Sequence, residues 1–256
     1  MCLIAFAWRA HPRYDLVVAA NRDEFHARPT EAAHAWPDAP RVFAGRDGSA
    51  GGTWCGVTPD GRFAAVTNVR EPDPPRAGQL SRGALVADFL AGEAGARAFC
   101  DDLLPKRFDY GAFNLLAGDR EGLYYVGNRD DRGILAVPPG VHALSNGVFG
   151  DVWPKTRRAE RLLGDVLAHD EIEVRDLQAL LYDETEAPDG DLPDTGVDTV
   201  TERALSPIFI RGRQYGTRAA TVVLRDADSV RLVERGFGPD GVALHTVDRT
   251  LTRRQV

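Results

Sequence analysis

Apolar residues in this chain fall in short continuous runs. The first two are Leu3 to Trp8 and Leu16 to Ala20, separated by a turn at Ala10-His11-Pro12-Arg13. Runs this short, without polar alternation, predict strands covered on both faces. They are read as a hairpin of residues 2–8 and 14–21 at the centre of one sheet. Residues 28–41, rich in Pro and His, predict a loop covering the mouth of that hairpin. Val42 to Asp47 predicts a strand. Gly48 to Trp54 predicts a tight bend whose glycines let backbone approach a ligand. Trp54–Thr58 and Arg62–Val69 predict a second hairpin across Pro59-Asp60-Gly61.

A Pro-rich linker, Glu71 to Ala77, introduces helical spacing. Leu85, Val86, Phe89 and Leu90 form one stripe between an N-cap at Ser81 and a stop at Gly92. A second helix covers Ala94 to Leu104 and is expected to end at Pro105, with Cys100 in the core. Ala112–Gly118, Leu123–Asn128 and Ile134–Val137 predict an antiparallel meander closed by Val141–Gly147. Helices follow from Trp153 to about Ala168 and from Val174 to Tyr182. Residues 183–202 carry eight acidic and no basic side chains and predict a solvated loop. A strand at Ser206–Arg211, an apolar strand through Ala219–Leu224, and a hairpin of Val230–Phe237 with Val242–Val247 are expected to finish the second sheet. This order gives an α+β fold: two antiparallel sheets face to face, helices outside, in one domain over residues 1–256.

Composition narrows the function. At 256 residues, with 43% hydrophobic and 27% charged residues, the chain buries a large core. Its net charge of −7 argues against nucleic-acid binding. No apolar run is long enough to span a membrane, and Leu3–Trp8 is too short for a secretory signal. Cys2, Cys55 and Cys100 are too far apart in sequence for a zinc knuckle, so no metal site is expected. A low, odd cysteine count suits a reducing compartment, and the cytoplasm is the expected location.

The candidate chemistry begins at Cys2. Removal of Met1 would leave a thiol and a free α-amine on one residue. With a pKa of about 8, the amine can act as base for the thiol. The predicted hairpin brings Arg22 and Asp23 beside it. A guanidinium favours thiolate, and a carboxylate can orient the α-ammonium. Asn68, Asn146 and Arg218 fall at other predicted strand boundaries. An arginine opening so apolar a strand needs a partner, and Asp23 is the candidate.

Asn21-Arg22-Asp23-Glu24 is also the signature of the NRDE proteins, the Transport and Golgi organisation protein 2 family. Met1-Cys2, Gly51-Gly52-Thr53-Trp54, Val66-Thr67-Asn68, Leu144-Ser145-Asn146 and Tyr215-Gly216-Thr217-Arg218 resemble that family's other landmarks, in its order. The family is similar in turn to N-terminal nucleophile (Ntn) hydrolases of the penicillin V acylase and bile-salt hydrolase type. The resemblance implies a four-layer αββα sandwich and a cysteine amidohydrolase. Cys2 would be the nucleophile, Asn68 or Asn146 would hold the oxyanion, and Arg218 would match the late arginine of the acylase site. It equally implies an alternative without hydrolysis, the handling of haem, lipid or acyl-CoA. Haem would then be the ligand, with Cys2, His11, His26, His34 or His142 as axial donor. On either reading the partner is a small molecule, an amide, acyl-CoA or haem.

Overall fold

The computed structural model describes residues 3–71 and 78–253. The apolar runs at the start become β1 (Leu3–Trp8) and β2 (Leu16–Phe25). They pair antiparallel, with Leu3 opposite Asn21 and Trp8 opposite Leu16. Neither is at an edge. β10 (Gly140–Leu144) flanks β1, and β11 (Tyr215–Arg225) flanks β2. β12 (Ser229–Phe237) and β13 (Ala243–Thr252) complete the order β10-β1-β2-β11-β12-β13. The second sheet contains β3 (Thr30–Ala35), β4 (Phe43–Asp47), β5 (Cys55–Val57), β6 (Phe63–Asn68), β7 (Phe113–Gly118), β8 (Leu123–Gly127) and β9 (Leu135–Ala136), neighbours in chain order.

Burial explains the absence of alternation in β1. Ile4, Phe6 and Trp8 face the other sheet, packing in one cluster with Val57, Phe63 and Leu116. Leu3, Ala5 and Ala7 point the opposite way, into a cluster with Leu163, Leu177 and Leu181. These last belong to α3 (Pro154–Leu167) and α4 (Val174–Leu181). On the other sheet, Val42, Ala44, Ala64 and Val66 meet Leu85, Val86, Phe89 and Leu90 of α1 (Arg82–Ala91), with Cys100 of α2 (Ala96–Leu103) in the same cluster. Three apolar interfaces thus separate four layers, helix–sheet–sheet–helix.

Several expectations are corrected. The loop over 28–41 contains the edge strand β3, paired only with β4 and bulged between Glu31 and His34. An edge strand tolerates the adjacent Pro29 and the irregular pattern that concealed it. The segment expected to close the meander crosses over instead and joins the first sheet as β10. The C-terminal hairpin extends that same sheet through β11, not the second. The second helix ends just before Pro105, as α2 stops at Leu103, and the chain continues as a 3-10 turn, Leu104–Asp109. Ser81 occupies the N-cap of α1 without a side-chain capping bond. Residues 183–202 are mostly loop, but include a 3-10 turn, Asp189–Asp191, and the start of α5 (Thr199–Ala204). Ser206–Arg211 forms no strand. Its backbone groups are taken by other partners: Ile208 O by Asn21 Nδ2, Phe209 N by Asp183 O, and Ile210 N by Thr217 Oγ1. No helix among the described residues is long and apolar enough to cross a membrane.

Candidate active site

Beyond Asn21, the polar end of β2 (Arg22, Asp23 and Glu24) pairs with β11, where Thr217 faces Asp23 and Ala219 faces Arg22. Arg218 is the extra residue of a β-bulge between them. Cys2 lies outside the described residues; its chain neighbour Leu3 stands opposite Asn21, one position before Arg22. Asn21 itself serves the fold. Its Nδ2 donates to Leu181 O and Ile208 O, both at 2.8 Å, tying β2 to the helical layer.

A cleft of about 250 Å³ opens at this end of β2. Arg22, Asp23 and Asn68 line it, with Arg28, Asp47 and Trp54 among the others. Arg22 is only 3% exposed. Its guanidinium stacks 4.5 Å from the Trp54 ring centroid and donates to Thr30 Oγ1 at 3.2 Å and Asp47 Oδ2 at 3.3 Å. Burial pulls its pKa down, while Glu24 and Asp47 counteract. Arg28 donates through Nε to Asp47 Oδ2 at 2.7 Å. Asp47 also accepts from the backbone N–H of Ser49 and of Ala50. Burial opposes its ionisation, but Arg28 and these two N–H groups hold its carboxyl below the usual range. Asp47 therefore organises the wall formed by both arginines.

The two candidate asparagines divide the work. Asn68 ends β6 and lines the cleft. Asn146, 1% exposed, sits behind it and donates through Nδ2 to Asn68 O and Asn68 Oδ1, each at 3.0 Å. That bond fixes which end of the Asn68 carboxamide is engaged and leaves its Nδ2 without an acceptor among the described residues. Behind both lies a network that sequence reasoning missed. Asn114 Nδ2 donates to Thr67 Oγ1 at 3.0 Å and Gly147 O at 2.7 Å, and its Oδ1 accepts from Tyr125 O–H at 2.8 Å. It locks the Ser145–Gly147 segment to the end of β6. The available signal was an Asn inside the apolar run of β7, since a buried amide requires partners.

The proposed pair between Arg218 and Asp23 does not form. Asp23 Oδ1 accepts from Thr217 Oγ1 at 2.7 Å. Arg218, re-aimed by the bulge, donates through Nη1 to the carbonyls of Phe25, His26 and Arg28 at 2.9, 3.0 and 3.1 Å. It is not among the residues lining the cleft, but it holds the turn that presents Arg28. Arg28 and Asp47 were also missed. Asp47, followed by Gly48-Ser49, had the composition of an Asx-turn.

The match to known proteins covers this whole arrangement. The family model described as Transport and Golgi organisation 2 matches residues 1–239. The chain belongs to that family. A Bos taurus Transport and Golgi organization protein 2 homolog is 34% identical, covering 93% of each chain. The Drosophila melanogaster Transport and Golgi organization protein 2 is 29% identical over 94% of this chain and 95% of its own. Among solved structures, a Caenorhabditis elegans N-acylethanolamine-hydrolyzing acid amidase ortholog superposes with a TM-score of 0.52 at 11% identity, covering 87% of this chain and 92% of that one. The chain therefore has the Ntn-hydrolase fold.

The donor set does not suit an axial imidazole in this cleft. Its described lining contains no histidine. The histidines considered each have one ring nitrogen bonded to backbone away from the cleft lining: His11 Nδ1 accepts from Arg13 N and Tyr14 N, while His26 Nε2, His34 Nδ1 and His142 Nε2 are engaged with Gly212 O, Ala32 O and Pro138 O. Cys55 and Cys100 are buried, and burial raises both thiol pKa values, to about 12 for Cys100.

Proposed function

We propose that this protein is a cytoplasmic N-terminal cysteine hydrolase cleaving a C–N amide or thioester bond of a small molecule. One observation carries the reading: Arg22, Asp23 and Asn68, brought from two sheets, share one cleft at the end where the chain enters β1. After loss of Met1, the α-amine of Cys2 takes the thiol proton and the thiolate adds to the carbonyl carbon. Arg22 supplies positive charge that favours the thiolate, and Asp23 orients the α-ammonium. Asn68 Nδ2, aligned by Asn146, donates to the oxyanion. Collapse breaks the C–N or C–S bond, and the leaving group takes the proton from the α-ammonium. Water then adds to the Cys2 thioester, releasing the acid and restoring the thiol. Arg218 acts at a distance, through the turn at residues 25–28.

Intact-mass analysis before and after a thiol-reactive acyl probe tests the reading. The expected mass lacks Met1 and gains one acyl group, mapped to Cys2, because the buried thiols of Cys55 and Cys100 are almost wholly protonated at pH 7. Retained Met1, or labelling no faster at Cys2 than at the two buried cysteines, refutes it.

A further inference from the structure

We infer that the substrates of this cleft are small and hydrophilic and carry a carboxylate, which Arg28 receives. The inference rests on the hydrolase reading for turnover and on the geometry of the wall for recognition. Three arginines (Arg22, Arg28, Arg82) and three acids (Asp23, Glu24, Asp47) line the cleft, against little apolar surface. The Trp54 ring is already covered by the Arg22 guanidinium. At about 250 Å³, the cavity is below the roughly 300–1,000 Å³ usual for drug-sized ligands. An apolar acyl tunnel rewards each added methylene by about 4-fold in affinity. Walls of this kind do not.

The carboxylate position follows from the hydrogen bonds. Arg22 is buried, with both terminal nitrogens engaged by Thr30 and Asp47. Arg28 engages Asp47 through Nε alone, and its two terminal nitrogens donate to no described residue. Its side chain is 36% exposed, so that pair of donors is open to a ligand. Asp47 and the Arg218-bound turn fix it from behind. A guanidinium presenting two parallel N–H groups matches a carboxylate bidentately.

N-acylglycines and N-acylethanolamines with acyl chains of two, four, six and eight carbons form matched series with and without the carboxylate. Turnover is followed by amine release from the processed wild type, and binding by calorimetry to Cys2→Ala. The expected result is at least a 10-fold preference for the glycine series, flat or falling with chain length. Arg28→Met removes that preference, and Arg28→Lys keeps part of it. Binding that rises about 4-fold per methylene in the ethanolamine series overturns the inference, as does absence of binding by every member. A glycine preference untouched by Arg28→Met overturns the assignment to Arg28. Preferential binding of the glycine series without any turnover upholds the inference and refutes the hydrolase.

Discussion

Replacing Arg218 by Met tests whether this residue acts through the turn and not at the reacting atoms. Its Nη1 serves three carbonyls, those of Phe25, His26 and Arg28, with only two hydrogens. A hydrogen bond from a charged donor contributes about 1.5–3 kcal/mol. Three acceptors sharing one nitrogen do not add, and the bond to Phe25 is solvent-exposed, so water replaces part of the loss. Relieving the burial of the guanidinium, which already depresses its pKa, offsets a further part. The net cost is about 2 kcal/mol, which for a chain of this size lowers Tm by about 4–8 °C. Thermal unfolding by circular dichroism measures it, with hydrogen exchange at His26 N and Arg28 N reporting the turn itself. Those N–H groups bond Gln214 O and Phe25 O and should exchange faster in the variant. Arg218→Lys should recover about half of the loss. A variant that melts within 1 °C of wild type, with unchanged exchange at both positions, refutes the positioning role.

Further outcomes are expected elsewhere. Asn68→Ala should lower kcat by about 10²–10³ by removing an oxyanion donor, whereas Asn146→Ala should cost less, about 10-fold, and be seen in kcat more than in KM; equal losses would show that the two asparagines are not in series. Asp47, whose pKa is depressed in the folded state, contributes stability that is present above its unfolded value near 3.8 and is lost as pH falls through the lower folded value. Tm measured from pH 5 to pH 2 should therefore drop more steeply for wild type than for Asp47→Asn, and parallel curves would refute the linkage. Asp15→Ala should destabilise toward the low end of roughly 3–5 kcal/mol, because it strips the carboxylate partner from Arg225, which is 0% exposed and keeps the Gly61 carbonyl and the Trp8 ring; denaturant unfolding measures it, and a change under 1 kcal/mol would show the pair to be dispensable.

The β1–β2 hairpin was legible because two-sided burial leaves an unbroken apolar run, and its polar end placed Arg22 and Asp23 at a sheet mouth. Asn68 was legible for the same reason, as the polar end of an apolar strand. The partner of Arg218 was not, because it depends on a bulge. A shift of one residue between Thr217 and Ala219 re-aims the guanidinium, and nothing in the Tyr215–Arg218 sequence marks it. The segment at Ser206–Arg211 misled for a different reason. Its apolar content comes from packing on the helical layer, while its backbone is satisfied by Asn21, Asp183 and Thr217 instead of a neighbouring strand. Apolar runs report burial, and they report a strand only where a ladder partner exists.

The β2–β11 ladder shows why the site can tolerate so much charge. Its two ends are polar and its middle is apolar. At one end Arg225 is bound to Asp15 at 2.8 and 3.1 Å and to Gly61 O at 2.6 Å. At the other, Thr217 meets Asp23, and Arg22 lies under the cleft. Between them Val17 to Ala20 pair with Thr221 to Leu224, almost wholly buried. In such a strand pair a slip of one residue would exchange the faces that meet the helices and the other sheet, so the register is held along its full length. The bulge at Arg218 is confined to the cleft end of the β2–β11 ladder. Stability is thus concentrated in the paired interior and in the Asp15–Arg225 clamp. The cleft end holds an arginine, a carboxylate and a bulged strand close together, and under the proposed function the first two serve the thiol of Cys2.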